Sequence, residues 1–267
     1  MLPLRDENPT QRRAWMTLVL IGACVYVYFG IQQSQSTNVY DPQTQQIEET
    51  RFSLEHAAIP FEVTHGRPLS RREVAAEFGP EAPALVCAAP GAAVVATTPA
   101  CEPHKNVYLA ILFSMFLHGS LLHLGGNMLF LWVFGNNIED ARGPWRYLLF
   151  YLAAGLVAMA AHVALDPSST VPVIGASGAI AGVMGAYLVL YPDAPILTAI
   201  ILVFIPLIRR ISAKWLLGFW FVSQFLLTQP GVAWAAHVGG FVFGVLAGLL
   251  WRATGKAPRA ARQPFAA

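Results

Sequence analysis

VYLAILFSMFLHGSLLHLGGNMLFLWVF, from Val107 to Phe134, runs 28 residues without a Lys, Arg, Asp or Glu. The hydrocarbon core of a bilayer is about 30 Å thick, and a helix crosses it in roughly 17–25 apolar residues. The stretch is long enough to cross, but His118-Gly119-Ser120 interrupts it. It therefore reads as a half-immersed segment, Tyr108–Leu117, followed by a spanning helix, Leu121–Ile138. The same pattern extends downstream: residues 107–208 hold six charges, Glu139, Asp140, Arg142, Arg146, Asp166 and Asp193. Across all 267 residues 55% are hydrophobic and 12% charged, where a soluble domain carries about 25% charged residues. That excludes a disordered chain, a nucleic-acid binder and an ordinary cytosolic enzyme. The formal net charge of +2 points to no acidic partner. The expectation is an all-α integral membrane protein.

Further spans fall at 145–165, 177–191, 213–227 and 232–251, the fourth span of the chain being short. Ahead of them, 14–31 follows Arg5, Arg12 and Arg13. Ser34-Gln35-Ser36 is a poor cleavage site for a signal peptide, so this run reads as a retained anchor. Residues 195–208 are apolar but too few for a comfortable crossing, which suggests an interfacial or re-entrant piece. With six spans, every basic short loop falls on the cytoplasmic side, together with both termini and the tail at 252–267. A seventh span at 195–208 would put that tail outside. Residues 32–106 are different in kind, with eight prolines, nine acids and five bases. They read as an irregular, water-exposed insert on the outer side, with one capped helix at 71–78 between Ser70-x-x-Glu73 and Gly79. Cys87 and Cys101 lie in it, where oxidation is permitted, either bridged or as two free thiols; Cys24 lies in span one as a packing residue.

Ionisable side chains inside spans are costly and therefore functional candidates. In the six-span arrangement His118, His123, Asn127, Ser177 and His237 all fall in the outer half of the membrane, on spans two, four and six. His162, late in span three, reads as interfacial. Gly178, Gly182 and Gly185 on span four and Gly240, Gly244 and Gly248 on span six would let those helices approach closely, bringing Ser177 toward His237. A serine activated by a histidine is a nucleophile for acyl transfer. Asn127, His118 or His123 and the Ser177 N–H are candidate oxyanion donors, and Gly175 and Gly178 leave room for a substrate backbone. No acid is placed to orient His237, since Asp166 precedes span four, so a Ser/His dyad fits better than a triad. From spacing alone, serine hydrolysis, transport of a proton or small solute, and a structural or binding role all stay open.

Three motifs narrow this. His118-Gly-Ser-Leu-Leu-His123-Leu-Gly-Gly-Asn127, Gly175-Ala-Ser177-Gly178 and Ala236-His237-Val-Gly-Gly240-x3-Gly244, in this order, resemble the rhomboid family of intramembrane serine proteases. The resemblance covers about residues 107–251 and implies a six-helix membrane bundle. It implies Ser177 as nucleophile, His237 as general base, His123 and Asn127 as oxyanion-hole side chains, and His118 supporting a hydrated cavity. It implies single-pass or multi-pass membrane proteins as substrates, and neither a cofactor nor a metal. The alternative is a catalytically silent relative that binds or escorts membrane clients. Ala181 stands where many bacterial members carry a Tyr that packs on the catalytic His, and Leu109-Ala110 where a Trp-Arg pair is common. The chain itself reads as bacterial, so the expected setting is a bacterial plasma membrane, with an organelle membrane as the alternative.

Overall fold

The computed structural model of the protein describes residues 1–36, 41–87, 100–202, 205–226 and 232–254. In chain order the elements are strand β1 (Leu2–Asp6), helix α1 (Trp15–Tyr26), a π-helical turn (Val27–Gln32), α2 (Gln33–Ser36) and α3 (Pro42–His56). There follow α4 (Pro60–His65), α5 (Arg71–Phe78), α6 (Ala82–Val86), α7 (Leu109–Ser114), α8 (Leu121–Arg142) and α9 (Pro144–Leu165). The chain continues through α10 (Ser177–Leu190), strands β2 (Pro195–Leu202) and β3 (Ile205–Ser212), α11 (Ala213–Leu226) and α12 (Trp234–Ala253). Three of the described helical stretches are long and apolar enough to cross a membrane: Trp15–Gln32, Pro144–Leu165 and Trp234–Ala253. Their outward faces carry Trp15, Trp145, Leu149, Leu246 and Leu250 in the open. Such a surface suits hydrocarbon, not water. The protein is a membrane protein.

The chain divides into two units. The first comprises residues 1–22, 125–161 and 177–267. Its centre is α9, α10 and α12, and it is built on missing side chains. A Cβ added to Gly240 would lie 2.0 Å from the Gly178 carbonyl oxygen, and one on Gly244 1.9 Å from that of Gly182. At Gly248 it would lie 2.9 Å from Val189 Cβ. Contacts that ascend together along both helices mean that α10 and α12 run parallel, backbone against backbone. The same glycines also meet α9: Gly178 faces Ala158 and Gly182 faces Ala154, a descending order that makes α9 antiparallel. Small residues thus set the helix separation, as in other lipid-embedded bundles.

At one end of this unit the last turns of α8 hold the N-terminal segment. Glu139, buried, accepts from the backbone N–H of Met16 and Thr17 and from the Thr17 hydroxyl, each at 2.8 Å. It satisfies donors that the start of α1 leaves unpaired. Asp140 accepts from the N–H of Gln11 and Arg12. Beside them, β1, β2 and β3 form an antiparallel sheet in that order, with Leu2 opposite Ala199 and Pro195 opposite Ser212. A short sheet thus accompanies a mostly helical chain, and residues 195–202 and 205–208, expected as an interfacial or re-entrant segment, lie in two antiparallel strands. The stretch is dense in β-branched Ile and Thr, which suit a pleated strand, and Pro206 is tolerated because β3 is an edge.

The second unit comprises residues 23–124 and 162–176. Helix α5 has the expected capping box, Ser70 with Glu73, and ends at Gly79 with φ 99°. Among the described residues of the insert, α3, α4 and α6 are helical where an irregular chain was expected. Pro42, Pro60 and Pro83 sit in the first turns of α3, α4 and α6, where an absent N–H leaves no bond unmade; they start helices instead of breaking them. Leu54, Ile59, Leu69, Val74, Val86, Cys87 and Cys101 form a small core, and Cys87 and Cys101 are bridged. Lys105 Nζ lies 2.6 Å from Glu62 Oε2, with both side chains almost fully buried. The same ammonium donates to the Leu54 carbonyl, and Glu62 accepts from the Leu69 N–H. Cys24 is free and buried.

Candidate active site

Ser177 is the first residue of α10, and His237 lies in the first turn of α12. Because those helices are parallel and in glycine contact, their first turns come together. His237 Nε2 is 2.8 Å from Ser177 Oγ, within the distance a general base needs. Both side chains are half-buried. The other ring nitrogen, Nδ1, is 2.7 Å from Oε1 of Gln224 on α11. The group facing Nδ1 is thus a side-chain amide. The Trp220 ring lies against the imidazole with centroids 5.8 Å apart. Sequence reasoning missed both α11 residues. The available signal was Ser223-Gln224, an adjacent polar pair flanked by Val and Phe in an otherwise apolar stretch.

Asn127 belongs to the same unit as the Ser177–His237 pair and is buried on α8. A Cβ added to Gly125 or Gly126 would meet nothing within 4 Å, so the α8 surface just before Asn127 is open.

His118, His123 and Gly175 belong to the second unit. The two imidazoles meet edge to face, centroids 5.3 Å apart. His123, one turn before Asn127 on α8, accepts at Nδ1 from the Gly119 N–H. In a neutral ring that leaves the proton on Nε2, where it can be donated. His118 has the opposite tautomer: Nδ1 faces the Phe116 carbonyl oxygen at 3.1 Å and must carry the proton. Its buried Nε2, without a hydrogen-bond partner among the described residues, is then an acceptor. Neutral His118 is unsuited to donate to an oxyanion from that atom. Its backbone is clamped at both ends by Gln32, which accepts from its N–H and donates to its carbonyl. Gly175 has φ 123°, a conformation that L side chains rarely adopt, and donates to the Ser114 carbonyl.

A family model for the Rhomboid domain matches residues 105–254. Rhomboid protein 1, mitochondrial, of Saccharomyces cerevisiae is 31% identical over 148 residues, covering 52% of this chain and 41% of that protein. Rhomboid protease GluP of Bacillus subtilis is 42% identical over 78 residues, 29% of this chain and 15% of the relative. The human presenilin-associated rhomboid-like protein, mitochondrial, is 29% identical over 149 residues, 51% of this chain and 36% of that protein. The chain thus spans less than half the length of these curated relatives. Mitochondrial proteins stand beside a bacterial one, so the expected bacterial plasma membrane gains no support from them.

Proposed function

The chain belongs to the rhomboid family, and from that premise we propose that it is an intramembrane serine endopeptidase whose substrates are single-pass or multi-pass membrane proteins. The observation that carries this reading is the 2.8 Å contact between His237 Nε2 and Ser177 Oγ. In the proposed reaction Ser177 Oγ attacks the scissile carbonyl carbon while His237 Nε2 takes the hydroxyl proton. The developing oxyanion is held by Asn127 and by the Nε2–H of His123, with Gly175 shaping the approach and His118 supporting the cavity. His237 returns its proton to the leaving amine, and water then releases the acyl group by the same route.

The membrane arrangement proposed with it has six spans, a rhomboid core over 107–251, the 32–106 insert outside and both termini inside. Two observations support it. Strand β1 precedes the first span and pairs with β2, which follows the fourth; an even number of crossings separates them. The parallel pair α10 and α12, with α11 between them, requires α11 to cross in the opposite sense.

The test is cleavage of a fluorescent transmembrane model substrate by the full chain in liposomes, with Ser177→Ala and His237→Ala alongside. Each substitution is expected to lower turnover at least about 10³-fold. Turnover that survives both overturns the proposal. A chain that retains clients equally with and without Ser177 and cuts none of them is the silent relative instead.

A further inference from the structure

The donor and acceptor pattern around Gln224 has only one consistent direction. Its amide Nε2 lies 3.0 Å from the Trp220 carbonyl oxygen and 3.3 Å from Ser223 Oγ. A carbonyl oxygen only accepts, so the NH₂ end of the amide must face it. Oε1 is left pointing at His237 Nδ1, 2.7 Å away. An amide oxygen also only accepts, so Nδ1 must carry a hydrogen. A neutral imidazole has a single N–H. The lone pair is therefore on Nε2, the atom 2.8 Å from Ser177 Oγ.

We propose that Gln224 is a positioning residue, which fixes His237 in the tautomer able to take the Ser177 proton. The inference rests on the protease reading above. Polarity is set at the Trp220 carbonyl, a backbone group that cannot be reversed, and passes through the amide and the imidazole to the serine hydroxyl. Trp220 and Gln224 are one helical turn apart, so one face of α11 supplies both the ring contact and the hydrogen bond. Ser177, Gln224 and Trp220, each in contact with the ring, are uncharged. A carboxylate in this place would orient the ring equally well but would have to be desolvated within the membrane, at a cost of a few kcal/mol; an amide does the same orienting without that cost.

The experiment compares wild type, Gln224→Met and Gln224→Glu as full chains in detergent or liposomes. Methionine preserves length and removes the acceptor; glutamate restores an acceptor. Three measurements are made: the ¹⁵N spectrum of histidine-labelled protein with His237 assigned through His237→Ala, the rate of fluorophosphonate labelling at Ser177, and cleavage kinetics. Wild type is expected to show the Nδ1–H tautomer at His237, and Gln224→Met a mixture of the two. Labelling rate and kcat are expected to fall roughly 10- to 100-fold in Gln224→Met with KM little changed, a smaller loss than removal of the base. Gln224→Glu should recover much of that loss. An Nε2–H tautomer in wild type overturns the proposal without recourse to any variant. So does a folded Gln224→Met protein that labels and cuts at the wild-type rate. If the tautomer responds as expected while wild type neither labels nor cuts, the positioning geometry stands and the protease reading fails.

Discussion

Glu102, half-buried in the insert, shows what partial burial of a charge can cost. Burial pushes its carboxyl up to about 7, and the Glu55 charge adds to the push against the opposing pull of Lys105 and Arg51. An acid with a raised folded-state pKa destabilises the fold as pH climbs from its unfolded value of 4.5 to about 7, because the unfolded chain releases the proton first. Glu102→Gln should therefore raise the melting temperature of the insert at about pH 8 and leave it unchanged at about pH 4; equal shifts at the two pH values would contradict the assignment. Glu62 and Lys105 are each driven toward neutrality by burial, the acid upward and the amine downward, and each opposes that drift in the other. Lys105→Met leaves a buried carboxylate alone and is expected to destabilise the insert by about 3–5 kcal/mol in denaturant titration. At the candidate site, Asn127→Ala should reduce kcat about 10²-fold with KM nearly unchanged if its amide serves only the transition state. Ser177 and His237 were legible because a polar group in an apolar span stands out. Gln224 was not, because its importance comes from a contact with another helix and not from any spacing along the chain.

Among the elements, the glycine face between α10 and α12 makes the firmest prediction. Gly244→Ala places a methyl 1.9 Å from the Gly182 carbonyl, so the helices must part. That should cost about 1–3 kcal/mol or more and draw Ser177 away from His237, with activity falling accordingly. Gly218→Ala, whose new methyl meets nothing within 4 Å on α11, should instead be neutral or stabilising by about 0.5–1 kcal/mol. A thermal scan of the two variants beside wild type separates these outcomes. The spacing of these glycines could be read from the chain because lipid-embedded helices have few other ways to touch. Of the insert helices only α5 could be, through its capping box; α3, α4 and α6 carry first-turn prolines in a stretch whose composition gave no helical period. The hairpin at 195–212 was hidden for a related reason, since a short apolar run has no periodicity that separates strand from half-span.

On the scale of the whole molecule, the question is which parts face which side of the membrane. The Cys87–Cys101 bridge closes a loop with a sequence separation of 14, and chain-entropy reasoning values such a loop at about 3 kcal/mol. Such bridges persist in oxidising compartments, which agrees with the proposed outer placement of the insert. Membrane-impermeant maleimide is thus expected to label Thr44→Cys in sealed vesicles of native orientation, and to label Arg209→Cys only after permeabilisation; the reverse pattern would invert the proposed topology. The pairing of β1 with β2 has a consequence for biogenesis. At roughly 5–20 residues per second of synthesis, residues 2–6 leave the ribosome about 10–40 s before their mate at 196–199 exists. On the proposed topology four crossings are threaded in that interval, so the N-terminal ribbon waits, unzipped, and its closure reports that they are in place.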